Sequence, residues 1–272
     1  MTQVVARQAI LPGGGTAHAP VIGICSRKGG SGKTTTSLNL AGALREMGWR
    51  PLVVDLDPQA SLTRLLLDVD AVVEGIGERL VNPQRGLDGL ALEVSPGIHL
   101  YPGDRGIEIA AFQLVDNPKG PFVLRKLLAR RTEPPCDIVL LDTPPALSFA
   151  TNSALLAADL ALMPTMMPQQ DIDALEDTLA LREELEELGA ARRTLIVPNN
   201  IRNDSYDRAT LVGLQAHYAG LVSEPIPQAV AVKKALAQRR SVLETEPRSA
   251  VAQAYRALAH RLVEEVADGG QA

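Results

Sequence analysis

The sequence has few cysteines, few aromatic residues and no long apolar run. Among its 272 residues there are two cysteines, and aromatic residues make up 3%. Cys25 and Cys136 lie far apart, which excludes a zinc or iron–sulfur site recognisable from spacing and indicates a reducing cytoplasm. No stretch approaches the ~18 consecutive apolar residues of a membrane-spanning helix. Val, Leu, Ile and Ala must therefore form the core, as in buried parallel strands covered by helices.

The amino-terminal segment also lacks the pattern of a secretory signal. It reads MTQVVARQAILPGGGTAHAP, with no basic start followed by a long apolar stretch. Its PGGG run and the later Pro20 predict a flexible leader over 1–19. We expect one folded domain over 20–267 and a short disordered tail over 268–272.

The charge is acidic overall but unevenly distributed. The net charge is −5, yet residues 192–248 contain nine Lys/Arg against five Asp/Glu. Such an asymmetry fits a local anion-binding face on an acidic body. Solvated charges scattered over several helices explain it equally well.

Short apolar segments alternate with helical ones along the chain. Strands are predicted at 21–25, 51–55, 98–102, 137–142, 159–164, 194–198 and 221–227. Helices are predicted at 34–47, 121–131, 151–157, 171–189, 205–218, 230–239 and 248–266. The alternation predicts right-handed βαβ units and an α/β fold, with a single doubly wound, mostly parallel β-sheet flanked by helices.

The segment SRKGGSGKTTT, residues 26–36, has the pattern of a phosphate-binding loop. Its glycines let successive backbone N–H groups face phosphates, and the positive end of the following helix points at the same place. Lys33 would reach the β- and γ-phosphates, and the Thr34 hydroxyl would bind Mg²⁺. The first glycine of the general pattern is replaced by Arg27. A dinucleotide-binding turn would instead need a glycine at position 35, where the chain has Thr35, so a triphosphate site is predicted.

Three carboxylates follow predicted strands near this loop. Asp55 and Asp57 end VVDLDPQ, and Asp142 ends VLLDTPP. Ligands of an open parallel sheet lie beyond the carboxyl ends of its strands. Asp142 therefore fits a magnesium ligand, and Asp57 is suited to position an attacking water. A single Asp at a strand end often only caps a turn, but three beside one phosphate loop favour a catalytic site.

These segments together resemble the deviant Walker A ATPases, a P-loop NTPase group. K-G-G-x-G-K-T from Lys28, DLDPQ and LLDTPP occur in that order, and the likeness is greatest to ParA-type partition ATPases, from about Val21 to Leu262. The resemblance implies that Lys28 reaches across a dimer interface to the partner's ATP. It also implies that Lys33 acts within its own subunit and that Asp57 is required for hydrolysis. Such a cation couples nucleotide state to dimerisation.

The resemblance implies two sets of site residues and the cofactors ATP and Mg²⁺. The predicted ATP-binding residues are Lys28, Gly29, Gly30, Ser31, Gly32, Lys33, Thr34, Thr35 and Asn199. The predicted metal ligands are Thr34, Asp55 and Asp142. For Asn199, contact with adenine and a plain turn are both open readings.

The same resemblance implies a partition cycle. The ATP-bound homodimer would bind DNA nonspecifically, and a ParB-like centromere-binding protein would stimulate hydrolysis in a cytoplasmic, nucleoid-associated setting. The predicted DNA-binding residues are Arg202, Arg208, Lys233, Lys234, Arg239 and Arg240. Relatives often carry arginines after the last strand's proline, where this chain has Gln228 and Ala231, so the neighbouring lysines would substitute.

Two alternatives share the phosphate chemistry. A MinD-like membrane-cycling ATPase would need a carboxyl-terminal amphipathic helix with a basic polar face. The last predicted helix has an apolar stripe that core packing explains better, so no membrane partner is expected. A protein-cargo-positioning ATPase would have identical chemistry and stays open.

Overall fold

The computed structural model of the chain describes residues 19–68, 74–146 and 148–268. Within them one seven-stranded sheet has the order β3-β4-β2-β5-β1-β6-β7. All neighbouring strands are parallel except β3, which runs antiparallel to β4. The strands are β1 Val21–Ile24, β2 Pro51–Asp55, β3 Leu92–Ser95, β4 Ile98–Tyr101, β5 Ile138–Asp142, β6 Leu160–Thr165 and β7 Arg193–Pro198.

Helices cover both faces of this sheet, which confirms the predicted fold class. In the described ranges they are α1 Lys33–Glu46, α2 Ser61–Leu66, α3 Ile76–Val81, α4 Gly106–Leu114, α5 Val123–Arg130, α6 Phe149–Ala157, α7 Gln169–Glu184, α8 Ser205–His217, α9 Val230–Ala237, α10 Val242–Thr245 and α11 Ala250–Asp268. Three 3-10 turns accompany them, at Pro83–Arg85, Gly120–Phe122 and Glu186–Leu188. None of the described helices is both long and apolar enough to cross a bilayer.

The sheet separates two apolar cores. One core lies under α3 to α8 and includes Leu127, Leu155 and Leu175. The other lies under α1, α9, α10 and α11 and includes Leu44 and Tyr255. The apolar stripe of the last helix is therefore buried, as the sequence predicts, because α11 packs against α1.

Several elements differ from the sequence predictions. The predicted strand over 221–227 is wrong, because the segment makes only isolated bridges to β7 and the adjoining Ile201; Pro225 and Pro227 remove the N–H donors that a regular ladder needs. The antiparallel edge strand β3 was not predicted, and neither were the short helices α2, α3 and α10. The predicted leader over 1–19 and tail over 268–272 lie almost entirely outside the described residues, so the domain boundaries stay predictions.

The central parallel strands end side by side at one edge of the sheet. Ile24 of β1 is paired in register with Asp142 of β5, and Asp142 is paired with Asp55 of β2. Because β1, β5 and β2 are neighbours, the phosphate loop after β1 and both carboxylates emerge together. This carboxyl edge carries the candidate site.

Candidate active site

The loop between β1 and α1 has the backbone of a phosphate cradle. Gly30 and Gly32 have φ angles of 79° and 93°, in the left-handed region that favours glycine. α1 then begins at Lys33 without a side-chain cap, so its first-turn N–H groups stay available to an anion. The backbone dipole of α1 adds positive potential at the same point.

Lys33 lies inside this loop and closes it. Its Nζ donates to the carbonyl oxygens of Ser26 and Lys28, each at 3.0 Å, and the residue is only 6% exposed. Burial lowers the pKa of Lys33, while nearby Asp142 raises it. An ammonium has three donors, so one remains for a phosphate oxygen in addition to the two loop bonds.

Asp142 is a buried carboxylate with one unsatisfied oxygen. Its Oδ1 accepts from the Ser37 hydroxyl at 2.9 Å, whereas Oδ2 has no hydrogen-bond partner among the described residues. Burial, and then the neighbouring Asp55, raise the pKa of Asp142, against the effect of the Thr34 and Ser37 hydroxyls. A buried oxygen without a partner is costly, and a bound cation would satisfy it.

Thr34 and Asp142 together fit a magnesium site. Mg²⁺ in nucleotide sites usually takes one or two protein ligands and completes its shell with phosphate oxygens and waters. The described residues contain no group of three or more His, Cys, Asp or Glu side chains that could hold a metal alone. The donor set therefore suits Mg²⁺ delivered with a nucleotide better than a dedicated all-protein metal cage.

Asp55, the third predicted metal ligand, has both carboxylate oxygens hydrogen-bonded within the protein. Its Oδ1 accepts from the N–H of Asp57 at 3.1 Å. Its Oδ2 accepts from both the N–H and the hydroxyl of Thr63, at 2.9 and 2.7 Å. Burial raises the pKa of Asp55, and these three hydrogen bonds oppose that shift. The carboxylate thus orders the turn that presents Asp57, and a direct bond to metal would compete with these contacts.

Asp57 follows β2 and is available for chemistry at the same edge. Its Oδ1 accepts from the N–H of Gln59 at 2.9 Å, which fixes the carboxylate on the turn. The residue is 9% exposed, and its charge acts on Lys33. The carboxylate is therefore held on the turn within electrostatic reach of the phosphate loop.

Lys28 differs from Lys33 in its surroundings. Its side chain is partly exposed, and within the described ranges no hydrogen bond or ion pair holds its ammonium group. The loop beside it is anchored to α7: the N–H of Arg27 donates to the Thr178 hydroxyl at 3.2 Å, and its guanidinium pairs with Asp177. Burial raises the pKa of Asp171 on α7, and the charge of Lys28 opposes that shift, so Lys28 interacts with this carboxyl without a hydrogen bond to it. A fixed backbone and an ammonium without a hydrogen bond suit a lysine that acts outside its own subunit.

Asn199 contacts the phosphate loop directly. Its Nδ2 donates to the Ser31 carbonyl at 2.8 Å, and its Oδ1 accepts from the N–H of Asn200 at 3.0 Å. A Cβ on Gly32 would lie 2.0 Å from this amide nitrogen. The side chain therefore ties the end of β7 to the loop, a role beyond the two readings taken from the sequence. Contact with adenine stays a prediction.

The six predicted DNA-binding residues divide into two groups. Three are held by neighbouring side chains: Arg202 by Asp207, Arg208 by Asn203 and Arg239 by Asp68. The others, Lys233, Lys234 and Arg240, are exposed, and no ion pair holds them in the part of the chain described. The exposed group would bind phosphate without first breaking an ion pair, so α9 and its carboxyl-terminal end form the stronger candidate.

Three residues that position the site were missed in the sequence. Ser37 lies one helical turn after Thr34, so its spacing could have revealed it. Thr63 holds Asp55 and accepts from the N–H of Gly103 at 2.8 Å. Thr178, which anchors Arg27, is far away in sequence. No local signal marks these two threonines, because their contacts depend on tertiary packing.

The sequence and the fold are similar to those of known proteins. A family model described as an AAA domain matches residues 19–192. The chain is 34% identical over 261 residues to the chromosome-partitioning ATPase Soj of Thermus thermophilus, covering 90% of this chain and 96% of the relative. The ATP complex of a Cyanothece McdA variant is similar in fold, with a TM-score of 0.79 and 23% identity over 92% of this chain and 96% of that one. Cobyrinic acid a,c-diamide synthase from Mycobacterium smegmatis, solved with ADP and magnesium, gives a TM-score of 0.77 and 25% identity over 91% and 95%.

Proposed function

Because the chain belongs to the ParA/Soj/MinD family of P-loop ATPases, we propose that it is an ATP-dependent dimerising switch for DNA partition. It hydrolyses ATP with Mg²⁺, binds DNA nonspecifically as a homodimer and segregates plasmid or chromosome DNA with a ParB-like centromere-binding activator. One observation carries this proposal: two lysines share the loop, and among the described residues Lys33 is hydrogen-bonded within its own subunit whereas the ammonium of Lys28 is not.

The residues at the carboxyl edge divide the work of hydrolysis. Lys33 and the first N–H groups of α1 bind the β- and γ-phosphates. Thr34 and Asp142 would hold Mg²⁺, which when bound would supply positive charge against the phosphate oxygens. Asp57, fixed on its turn by Gln59, orients the attacking water in line with the γ-phosphorus.

Lys28 supplies the link between nucleotide and dimer. Delivered to the partner's phosphates, its ammonium neutralises charge on the transferring group as an arginine finger does. The interaction exists only when two subunits and ATP are together, so binding of one favours binding of the other. Hydrolysis removes the γ-phosphate, and the contact of Lys28 with the partner's nucleotide that stabilises the dimer is lost with it.

DNA binding is assigned to the exposed cations of α9. Lys233 and Lys234 are adjacent on that helix, with Arg240 just beyond its end. Cations that replace counterions on DNA phosphates give binding that weakens steeply with salt and ignores base sequence. A dimer doubles the number of these contacts, which makes the affinity depend on nucleotide.

A membrane-cycling role has less support. The apolar stripe of α11, including Tyr255, Leu258 and Leu262, is buried against the core, so inserting it in a membrane would unfold that core. An ATPase that positions a protein cargo would use the same chemistry. A DNA-binding experiment therefore tests whether the switch cycles on DNA, and it does not identify the cargo.

The test is binding to nonspecific duplex DNA with ATP, with ADP and without nucleotide, at two salt concentrations. We expect ATP-dependent, salt-sensitive binding that is lost in Lys28→Ala and in a Lys233/Lys234 double alanine. If DNA binding is lost in Lys28→Ala but not in the double alanine, the ATP-dependent switch stands and the DNA-binding surface lies elsewhere than Lys233 and Lys234. No ATP-dependent binding by the wild-type protein would refute the DNA-partition function.

A further inference from the structure

An apolar stripe runs along the exposed side of α4. Ile109, Phe112 and Val115 lie three residues apart, with exposed fractions of 53%, 85% and 64%. On the opposite side of the helix, Ile107 and Ala110 are buried. Isolated exposed apolar residues are normal on protein surfaces, whereas a contiguous apolar row indicates a contact surface.

The chain enters α4 close to the nucleotide site. α4 follows β4, which ends at the carboxyl edge of the sheet. Its base is joined to the site: Gly103 donates its N–H to the Thr63 hydroxyl that holds Asp55. A Cβ on Gly103 would come within 3.0 Å of the Asp57 carbonyl oxygen.

The charges around the stripe favour a second copy of the chain as its partner. Exposed Arg105, Glu108, Asp116 and Lys119 flank the row, two of each sign. A twofold contact places the same surface on both sides, so a patch of one sign would repel itself, whereas a balanced patch can complement itself. Nucleic acid and anionic membranes require an excess of cations, which this surface lacks.

We propose that the α4 stripe, formed by Ile109, Phe112 and Val115, is a contact between two copies of this chain. The inference rests on the proposed function and deepens it, because it names the surface that brings Lys28 to the partner's nucleotide. A stable interface buries ~800 Å² per partner, more than one short helix presents. The contact therefore extends over the loop edge, where Gly29 and Pro145 are exposed.

The experiment measures the dimer dissociation constant by analytical ultracentrifugation with Mg²⁺ and a non-hydrolysable ATP analogue. Phe112→Glu is compared with wild type, with Phe112→Leu, and with Val212→Glu, which places the same charge on an exposed apolar site of α8. We expect Phe112→Glu to weaken the dimer by at least about tenfold per subunit, or about a hundredfold for the pair. The other two variants should stay within about threefold of wild type.

Two control measurements keep the result specific. The melting temperature without nucleotide and the affinity for ADP, measured where both proteins are monomeric, should match between Phe112→Glu and wild type, because the residue is 85% exposed and has no assigned role in nucleotide binding. If these controls hold and the variant still dimerises like wild type, the stripe is not the contact, although the proposed switch stands.

Two further outcomes would overturn the inference. A wild-type protein that binds the analogue but stays monomeric would refute the dimerising switch and the stripe contact together. Binding to phosphatidylglycerol vesicles that Phe112→Glu abolishes would assign the stripe to a membrane instead.

Discussion

Adding one methyl group at Gly32 should destabilise the protein far more than adding one at Gly30. Both glycines have left-handed backbone, with φ of 93° and 79°, so Ala at either position costs roughly 1–2 kcal/mol. Alanine also lowers the conformational entropy of the unfolded chain, which offsets about 0.4–1 kcal/mol of that cost. Nothing lies within 4 Å of a Cβ on Gly30, so Gly30→Ala should lower the free energy of unfolding by about 1 kcal/mol in net terms.

Gly32→Ala adds a steric conflict to this backbone term. The new Cβ would lie 2.0 Å from Nδ2 of Asn199, which must leave its hydrogen bond to the Ser31 carbonyl. A buried hydrogen bond broken with one partner left unsatisfied costs about 1–3 kcal/mol. The total for Gly32→Ala is therefore about 2–4 kcal/mol.

Urea unfolding without nucleotide measures both values, because the single Trp49 is 8% exposed and reports on loss of the core. Asn199→Ala should remove most of the difference between the two glycine variants, giving a coupling of about 1–3 kcal/mol in a double-mutant cycle. Equal destabilisation by Gly32→Ala and Gly30→Ala would refute the reasoning, since only one position faces the amide.

Three further predictions concern the site and its supports. Burial raises the pKa of Asp142, so wild type loses stability as pH rises and the native carboxyl must ionise, whereas Asp142→Asn does not. From about pH 4 to pH 8 the free energy of unfolding of Asp142→Asn should therefore rise relative to wild type by at least about 1 kcal/mol. Urea unfolding in EDTA at each pH measures this difference, and a difference that stays constant with pH would contradict the prediction. At pH 8 iodoacetamide should modify the half-buried Cys136 much faster than the buried Cys25. Burial raises the pKa of both thiols, and that of Cys25 to about 12. Equal labelling rates of the two cysteines in the native protein, followed by mass spectrometry, would be the contrary result. Thr178→Val removes the acceptor of the Arg27 N–H, so it should weaken ATP affinity and lower the free energy of unfolding by about 1 kcal/mol. Asp177→Asn, at an exposed ion pair, should change the free energy of unfolding by less than about 0.5 kcal/mol. Equal effects of the two variants in binding and unfolding assays would count against the contact between Arg27 and Thr178 as an anchor of the loop.

The buried central strands could be predicted from sequence because each is a short apolar run followed by a glycine-rich or acidic turn. β1, β2 and β5 are buried along their whole length, so every position favours an apolar residue and the pattern is continuous. β3 escaped prediction because it is an edge strand whose residues are partly or fully exposed. Its alternation is too weak to distinguish it from a loop.

The site could be predicted only as far as local motifs reach. The phosphate loop and the three carboxylates follow from strand ends that meet at one edge. The separate roles of Asp55 and Asp142 do not follow, because they depend on which oxygens Thr63 and Ser37 occupy. Likewise, the contact of Asn199 with Ser31 joins residues that are 168 positions apart.

The phosphate loop makes contacts on both sides of the sheet, and this affects how the fold opens. Lys33 and Ser37 belong to α1, which packs in one core, and Arg27 is anchored to Thr178 on α7, which packs in the other. A ligand that binds only the intact loop adds its binding free energy to every opening that breaks the loop. Amide hydrogen exchange should therefore slow in α1 and α7 together when nucleotide binds, so that two cores separated by a sheet open as one cooperative unit.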